Sequence, residues 1–592
     1  MDAEREMMQK LPGKKRDRMI AGIYGLGLSL SWLLGRVLER NGALARPRPS
    51  ELVLFVFGWL LASSGAFSLW RWLDRKRENH RIEDAVSGKR EKRPVFLSWV
   101  LLMLTDLISL LAVYPGFFVY DASEELAMVQ TRCFTTHHPL LHVLLLGGVI
   151  LAVHKVIGSY NAGIFVYLLL QMAVMNAAFV FLLQDMKRRH AGRGLRIFGL
   201  LWYALCPVVT MFVLCSCKDG LFAAALLLMT VFLRRILEQS FGSGEHSEGA
   251  EHSGRADRTG FVLSAMFMML LRNNGVYAYA VFLMLLVPDV LFSRSRGRKK
   301  QDRSAGDTGR NGELWKRAVL FALPLLLYAG GSKGLAGLVH ATSEESQEIL
   351  TVPIMQLARV WNAEPESFSL EEKEAMELLM DSPDAWELYN PVLSDQVKIH
   401  FDNAAYRQDR GVFWRLWLSK GLRHPASYLN AWLMTSYGFY APGAVVDCYR
   451  GNTVYTFTYG DSSYFGYETE QPGIRESRFP VLDSWYRFLS LDERAQKSIL
   501  SGVILSPGAM AWLFFLVLFD LWRRKEGKAL LSLLPVFLVW LTVLLGPCTL
   551  PRYVVYLWIG LPCFLTELVT FEFRIDAAKV QMDTAPAALR VL

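Results

Sequence analysis

Long apolar runs separated by short polar segments dominate this chain. Runs long enough to cross about 30 Å of hydrocarbon occur at residues 19–35, 51–70, 95–114, 162–184, 197–214, 220–237, 316–336, 501–521, 529–546 and 552–570. A further run, 261–292, is long enough for two helices and is interrupted by the polar sequence Arg-Asn-Asn-Gly at 272–275. The pattern predicts an all-α polytopic membrane protein with about twelve transmembrane helices and both chain ends on one side.

Basic loops orient the predicted spans. Segments 71–93, 187–196, 294–316 and 523–528 are rich in Lys and Arg, and loops of this kind stay in the cytoplasm. Loop 36–50 has four arginines but falls on the outer side in this arrangement, against the rule.

The run 138–158 decides the orientation. His142, His154 and Lys155 make it a poor span, because ionisable groups are costly in hydrocarbon. A crossing here would also force the basic loop 187–196 to the outside. We therefore predict a helix that lies in or dips into the outer interface without traversing the membrane, and a full crossing is the alternative.

One long stretch departs from the pattern of spans. Residues 337–500 contain 14 Lys and Arg against 23 Asp and Glu, a net charge of −9, while the rest of the chain carries +18. Such a segment is typical of an external domain, and we predict a mainly α extracytoplasmic insert with juxtamembrane helices. The predicted organisation is a two-span region with a cytoplasmic basic loop at 1–94, a transmembrane core at 95–336, the insert at 337–500, and C-terminal transmembrane helices with a cytoplasmic tail at 501–592.

Two segments of the insert have clear helix patterns. Residues 369–380 start with a Ser cap and an acidic first turn, which predicts a helix. Residues 411–433 are amphipathic and aromatic, which suits a helix lying on the bilayer surface.

Composition narrows the function classes. The 592 residues are 52% hydrophobic with mean hydropathy +0.24, and the net charge of +9 comes from basic residues beside apolar runs. We therefore predict a multi-pass protein of the cell membrane, in contact with lipid, and no nucleic-acid partner. The seven cysteines form no CxxC pair, and no nucleotide-binding glycine motif occurs between a strand and a helix.

An acidic cluster, Asp121, Glu124 and Glu125, follows the third span. Charged groups at the mouth of a membrane helix are costly unless they line a wet cavity or a site. A carboxylate partly desolvated there can have a raised pKa and act as a general base towards a hydroxyl. The alternative is a solvated acidic turn that caps the following helix.

Three histidines follow the acidic cluster, at His137, His138 and His142. Two of them with a carboxylate could hold a metal, while hydrogen bonds to phosphates or carbonyls are the simpler interpretation. We assign no metal ligand here, and a divalent metal cofactor stays open.

Other polar clusters fall on the same predicted side. Cations there attract an anionic ligand, and arginine forms bidentate bonds with phosphate; the alternative is snorkelling to lipid headgroups. For the pair Gln356 and Arg359 a structural role is an equal alternative. The candidates for binding a substrate or its phosphate are His138, Lys218, Asp219, Arg272, Asn273, Gln356, Arg359, Arg552 and Tyr553.

Together these segments resemble a known superfamily. The sequences YPG…YD at 114–121, HPLLH at 138–142, KDGLFA at 218–223, RNNG at 272–275 and IMQLAR at 354–359 are similar to those of the GT-C superfamily of polyprenyl-phosphate-sugar-dependent glycosyltransferases. That superfamily includes the protein O-mannosyltransferases and the aminoarabinose transferases of lipid A, and the similarity is greatest to a bacterial GT-C-like group. It covers about residues 95–570 and leaves out the first two spans.

The resemblance implies that a sugar moves from a polyprenyl-phosphate donor to an extracytoplasmic acceptor, which is a cell-envelope glycan, lipid or protein. Asp121 would be the general base, and Arg552, with Lys218 or Arg272, would hold the donor phosphate. Many members have Asp-Glu where this chain has Asp-Ala-Ser-Glu, so Glu124 and Glu125 remain candidates for the base. The alternatives are a transporter or flippase of a lipid-linked glycan, and another membrane transferase such as an O-acyltransferase or glycan polymerase.

Overall fold

A computed structural model describes residues 14–84, 95–239, 248–296, 307–342, 346–446 and 465–570 of this chain. This part of the chain is all-α: it has no β-strand, and extended backbone pairs only at isolated bridges such as Phe117 with Cys215. The predicted all-α class is confirmed.

The helices of the first half form the membrane bundle and its edge. They are α1 (Lys14–Asn41), α2 (Pro49–Asp84), α3 (Val95–Ala112), α4 (Ala122–Thr131), α5 (Leu140–Ile157), α6 (Tyr160–Arg188), α7 (Arg193–Leu205), α8 (Pro207–Val213), α9 (Lys218–Gln239), α10 (Glu248–Leu271), α11 (Asn273–Arg296) and α12 (Asp307–Val339).

The helices of the second half form the insert and complete the bundle. In the insert they are α13 (Thr351–Ala363), α14 (Leu370–Glu377), α15 (Asp395–Lys398), α16 (Asn403–Gln408), α17 (Arg410–Arg423), α18 (Pro425–Ser436), α19 (Pro480–Leu491) and α20 (Glu493–Lys497). The bundle ends with α21 (Ile499–Leu505), α22 (Pro507–Arg524), α23 (Gly527–Val543), the 3-10 turn Pro551–Val554 and α24 (Tyr556–Val569).

Eight helices of the described residues are long and apolar enough to cross a membrane, and the count is nine if the bent pair α7 and α8 is one span. The protein is therefore a multi-pass membrane protein. The eight are Lys14–Asn41, Pro49–Arg77, Val95–Ala112, Leu140–Ile157, Tyr160–Arg188, Lys218–Gln239, Trp315–Val339 and Pro551–Val569. The predicted figure was about twelve; the described part of α11 (Asn273–Leu286) and α23 are apolar but fall short of the length needed.

Two breaks in the bundle have a sequence cause. Pro207 cannot donate a backbone hydrogen bond, and the chain bends by 56° between α7 and α8. The polar interruption at 272–275 separates α10 from α11, as predicted, with only Arg272 between them.

The bundle has two distinct ends. We call the end where α3 stops and α9 begins the upper end; there Phe117 N–H donates to Leu214 O at 3.0 Å. At the lower end, where α22 stops, Arg523 is fully buried and contacts Asp74 at 2.8 Å and Asp520 at 2.7 Å. Buried charges of this kind require partners, and the lower end supplies a carboxylate from each of several helices.

Helix α5 keeps both of its ends at the upper end of the bundle. His142, near its start, lies beside Tyr167 of α6, while His154, near its finish, stacks on Tyr160, the first residue of α6. Because α6 continues to Asp185, which pairs with Arg235 at the lower end, α6 crosses the bundle and α5 does not. These contacts favour the predicted interfacial helix, although α5 has the length and hydropathy of a span.

The insert has a hydrophobic core of its own. Its members come from helices α13, α14, α17 and α18 and from the segments between them, and they include the fully buried Trp386, Phe413 and Ile354. Helix α14 is capped as predicted, because Ser369 and Glu372 form a reciprocal capping box.

The aromatic segment 411–433 differs from its prediction. It is split at Pro425 into α17 and α18, and part of its aromatic face contacts the core of the insert: Phe413 is buried and Tyr428 O–H donates to Trp417 O. Trp414 is 41% exposed, and the placement of this segment on the bilayer surface stays a prediction.

Candidate functional site

The turn between α3 and α4 positions the first acidic residue. Phe117 N–H donates to Leu214 O and Ser216 N–H donates to Phe117 O, each at 3.0 Å, which fixes the turn against the segment before α9. Tyr120 then takes a left-handed conformation with φ of 62°, and Asp121 is the N-cap residue of α4. The carboxylate of Asp121 is thereby aimed at the start of α9.

Asp121 lies between two cations from distant parts of the chain. Its Oδ2 accepts from Lys218 Nζ at 2.5 Å, and its Oδ1 accepts from the Arg552 guanidinium at 3.2 Å. Arg552 in turn lies over the rings of Tyr120 and Tyr553, at 4.5 and 4.9 Å from their centroids. The structure thus brings together the carboxylates after the third span and the arginine before the last one.

These cations determine the charge state of Asp121. Burial by itself raises the pKa of this carboxyl, but Arg552, Lys218 and His138 outweigh it and hold its pKa well below the usual range. The sequence-based expectation of a raised pKa was therefore wrong in direction. Its physical reason is the number of cations that the fold collects around one carboxylate.

Glu125 is buried behind Asp121. It pairs with His142 and lies 3.4 Å from Lys218 Nζ, and both Glu125 and His142 are almost fully excluded from solvent. Burial raises the pKa of Glu125, while His142 and Lys218 lower it, and the balance is a lowered pKa. Glu125 therefore forms its ion pairs inside the protein, with His142 and Lys218.

Glu124 faces outward, and its side chain is 55% exposed. It accepts from His138 Nε2 at 3.1 Å, while Nδ1 of the same ring lies 3.2 Å from Lys218 Nζ. His138 thus connects the exposed and buried acids of α4. Neighbouring His137 lies farther out, 3.9 Å from Glu348 of the insert.

Three groups have the separation of metal ligands. Ligand atoms of Asp121, Glu125 and His138 lie within 4.8 Å of one another. However, Lys218 Nζ contacts all three, at 2.5, 3.4 and 3.2 Å. We assign these groups to an ammonium site, because the lysine already supplies the cation that balances their charge.

Arg272 occupies the break between α10 and α11. It forms an ion pair with Asp219 and lies over the ring of Tyr553 at 5.0 Å. Asn274, the second residue of α11, donates to Thr542 Oγ1 at 3.1 Å. Lys218, the first residue of α9, and Asn273, the first residue of α11, line the same cavity as Arg552, so the positive N-terminal ends of both helices lie at this cavity.

These groups surround a cavity of about 390 Å³ at the upper end of the bundle. The insert closes its other wall, where Lys398 forms ion pairs with Glu348 and Asp395 at 2.9 and 3.0 Å. The lining residues are Tyr120, Asp121, Glu124, His137, His138, Pro139, Lys218, Arg272, Asn273, Asn274, Gln347, Glu348, Asp395, Lys398, Ile399, Gly466, Pro547, Arg552 and Tyr553.

Gln356 and Arg359 lie elsewhere. Gln356 accepts from Trp417 Nε1 at 2.8 Å inside the insert, and Arg359 donates to Gly42 O at 2.9 Å, joining the insert to the α1–α2 loop. Neither lines the cavity. Their placement agrees with the structural alternative, and this cavity gives no support to the assignment as phosphate-binding residues.

The sequence reading missed the wall that the insert contributes. Glu348, Asp395 and Lys398 lie in segments without a recognisable motif, and only the tertiary fold brings them to the cavity. Tyr120 directly precedes the candidate base Asp121, and this position could have identified it as a site residue. Its hydroxyl is buried and has no hydrogen-bond partner in the described part of the chain.

Fold and site define an all-α, multi-pass membrane protein with a charged cavity at one end of its helix bundle. The chain belongs to a family of unknown function, DUF6020, which it matches over residues 125–565. The match starts four residues after Asp121 and does not include α1 to α3. No curated protein matches this chain, and no solved structure matches it.

Proposed function

We propose that this protein is an integral-membrane glycosyltransferase that moves a sugar from a polyprenyl-phosphate-linked donor to an extracytoplasmic acceptor. The observation that carries the proposal is the position of Asp121 between Lys218 and Arg552 at the wall of a cavity. A base and two cations within one site are what transfer from a phosphate leaving group to a hydroxyl requires.

In this mechanism, the donor phosphate forms ion pairs with the cations that contact Asp121 and Asp219 in the free protein. Arg552, Lys218 and Arg272 bind its oxygens, which weakens their hold on Asp121 and Asp219. The pKa of Asp121 then rises from its depressed value, since the cations that lowered it are shared with phosphate. Donor binding thereby converts a paired carboxylate into a general base.

The reaction balances in one displacement. Asp121 accepts the proton of the acceptor hydroxyl, the hydroxyl oxygen bonds to the anomeric carbon, and the bond from that carbon to the phosphate oxygen breaks. The products are the glycosylated acceptor and polyprenyl phosphate, which leaves with its electron pair stabilised by Arg552 and Lys218.

Asp121 is the best candidate for the base among the three acids. Glu125 is buried and paired with His142, and Glu124 points towards solvent with a single histidine partner. Only Asp121 both lines the cavity and contacts the proposed phosphate-binding cations.

The helix path supports the predicted membrane arrangement. With the pairs α7–α8 and α21–α22 and the turn leading into α24 taken as continuous runs, and with α4 and α5 left out, the described helices before and after the insert form twelve helical runs. This number agrees with the twelve predicted spans, although fewer of these runs are long and apolar enough by themselves to cross a membrane. The basic loops 187–196 and 523–528 lie at the lower end, which we therefore place in the cytoplasm. The site then faces the extracytoplasmic side.

The upper loop between α1 and α2 is the exception to the charge rule. Two of its arginines are paired there, Arg40 with Glu51 and Arg36 with Glu39. Pairing reduces the net positive charge that this loop presents, which is compatible with an external position.

The test is sugar transfer by purified protein in detergent from a polyprenyl-phosphate sugar to cell-surface acceptors. Asp121→Asn should lower the transfer rate about 100-fold or more, because the base is lost. Asp381→Asn is the matched control: Asp381 is exposed and pairs with His400 outside the cavity, and we expect a rate within about twofold of wild type.

Equal rates for wild type and Asp121→Asn would remove Asp121 from the mechanism. An absence of donor turnover, together with movement of a lipid-linked glycan across proteoliposomes, would establish the flippase instead.

A further inference from the structure

A chain of hydrogen bonds runs from Glu125 into the bundle behind the cavity. His142 Nδ1 contacts a carboxylate oxygen of Glu125, and His142 Nε2 lies 2.8 Å from the Tyr167 hydroxyl. That hydroxyl donates to Gln171 Oε1 at 3.1 Å. The chain is buried throughout, so every proton in it has to be accounted for within the protein.

Gln171 fixes the direction of this chain. Its Nε2 donates to two carbonyl oxygens, of Val213 at 2.9 Å and of Cys215 at 2.7 Å. Turning the amide over would place Oε1 against two acceptors, so Oε1 faces Tyr167. An amide oxygen can only accept, and the single hydroxyl proton of Tyr167 therefore goes to Gln171.

The oxygen of Tyr167 must then accept from His142 Nε2, which requires a proton on that nitrogen. On the other side of the ring, His142 Nδ1 faces one carboxylate oxygen of Glu125, and the other oxygen lies 3.4 Å from the Lys218 ammonium, which favours the ionised carboxylate. A carboxylate needs a donor in front of it, which places a second proton on Nδ1.

We infer that His142 is a doubly protonated imidazolium whose charge neutralises Glu125, so that Lys218 remains available to Asp121 and to an anionic ligand. His142 is a positioning residue in this arrangement, since it does not line the cavity. The ionisable groups that face the Glu125–His142 pair and its partner Tyr167 are Lys218, His138, Cys215 and Cys217.

Without His142, Glu125 would have only Lys218 as a close cation. The ammonium would be drawn from Asp121 towards Glu125, and the site would lose cationic strength where the phosphate binds. The charge state of His142 rests on the hydrogen bonds and on the ammonium beside Glu125, while its effect on phosphate binding rests on the proposed function.

The charge state is tested by ¹⁵N nuclear magnetic resonance of histidine-labelled protein in lipid near neutral pH, with His142→Gln identifying the signal. We expect both ring nitrogens of His142 to be protonated in wild type. In Glu125→Gln the counter-ion is gone, and the imidazolium signal should disappear. A neutral His142 in the wild-type protein would overturn the inference.

The role is tested by binding of a polyprenyl phosphate without sugar. His142→Gln should bind it about tenfold more weakly, a loss of about 1.4 kcal/mol, whereas Glu125→Gln/His142→Gln should return to within about threefold of wild type because the unbalanced carboxylate is removed. His154→Gln, a change on the same helix beside Tyr160, is the control and should bind as wild type does.

Unchanged binding by His142→Gln, or a double variant as weak as the single one, would overturn the positioning role. If the wild-type protein binds no polyprenyl phosphate, the proposed donor class fails, and the resonance measurement still decides the charge of His142.

Discussion

Tyr120 is held in place by a residue from the far end of the insert. A side-chain carbon added at Gly466 would meet the Tyr120 ring, and that ring is one of the two that lie over Arg552. A glycine in the insert therefore determines where a cation of the site can lie.

Gly466→Ala should displace the Tyr120 ring and lower transfer about tenfold or more, because small displacements of catalytic groups are costly. Gly466 has φ of +69°, and a left-handed alanine costs about 1–2 kcal/mol by itself. Gly443→Ala separates the two effects, since Gly443 has φ of +74° and no atom within 4 Å of the added carbon. Equal losses of activity in both variants would contradict the role of the ring contact.

The lowered pKa of Asp121 predicts an acid dependence of stability. Its folded-state pKa lies well below the ordinary 3.8, so its ion pairs stabilise the protein fully above that value and lose this contribution as pH falls through the folded pKa. We expect the midpoint temperature of thermal unfolding in detergent to decrease as the pH is lowered below about 4. This decrease in midpoint temperature should be smaller in Asp121→Asn. The same pH dependence below about pH 4 in both proteins would contradict the lowered pKa of Asp121.

Sequence alone predicted the charged residues that the structure brings together at the cavity, but it did not predict their surroundings. Asp121, Lys218, Arg272 and Arg552 could be found because a charged residue beside an apolar run is costly unless it has a function. Gln356 could not be placed correctly, since the direction of a side chain on a short amphipathic helix depends on which neighbour that helix packs against. The same limit hid Lys398.

At the scale of elements, helix α5 shows that the length of an apolar run predicts a helix but does not determine whether that helix crosses the membrane. Its hydropathy is that of a span, yet it pairs with α6 so that both its ends stay at the upper end. The bounds of most helices could be predicted from apolar runs and from residues such as Pro207. The path of α5 could not be derived from the run itself. Its interfacial position was predicted from the charge of the next loop, and it stays a prediction.

Cysteine accessibility tests this path. In a background with Cys133 and Cys448 changed to serine, Ile157→Cys at the exposed end of α5 should react with a membrane-impermeant maleimide added from outside the cell. Gly527→Cys, in open space at the lower end, should react only after the cytoplasmic side is exposed. Labelling of Ile157→Cys from the cytoplasmic side alone would show that α5 crosses the membrane.

At the scale of the whole molecule, the bundle is joined at its lower end by a network of buried ion pairs. Arg523 has no exposed side-chain surface and contacts Asp17, Asp74 and Asp520, which come from three different helices. Arg77 adds a bond to Asp520 at 2.7 Å. Helices α1, α2 and α22 are thus held together by charge.

Arg523→Met should destabilise the protein by about 3–5 kcal/mol, because removing one member of a buried network leaves carboxylates without a counter-ion. The matched control is Arg36→Met, since Arg36 is 57% exposed and pairs with Glu39 on the surface; a pair of that kind contributes about 0–1 kcal/mol. Thermal unfolding in detergent measures both. Similar midpoints for the two variants would show that the lower network is not a major source of stability.

The cavity lies between two separate hydrophobic cores. Arg552 and Lys218 are carried by the bundle, whereas Glu348 and Lys398 are carried by the insert, which touches the bundle near the cavity through Ser394 N–H and Pro547 O at 3.0 Å. If heating unfolds the smaller core of the insert first, the cavity loses the wall that contains Glu348 and Lys398 while the larger bundle is still folded. Heat inactivation of this protein should then precede its melting, with catalysis failing at temperatures where nearly all of its helicity remains.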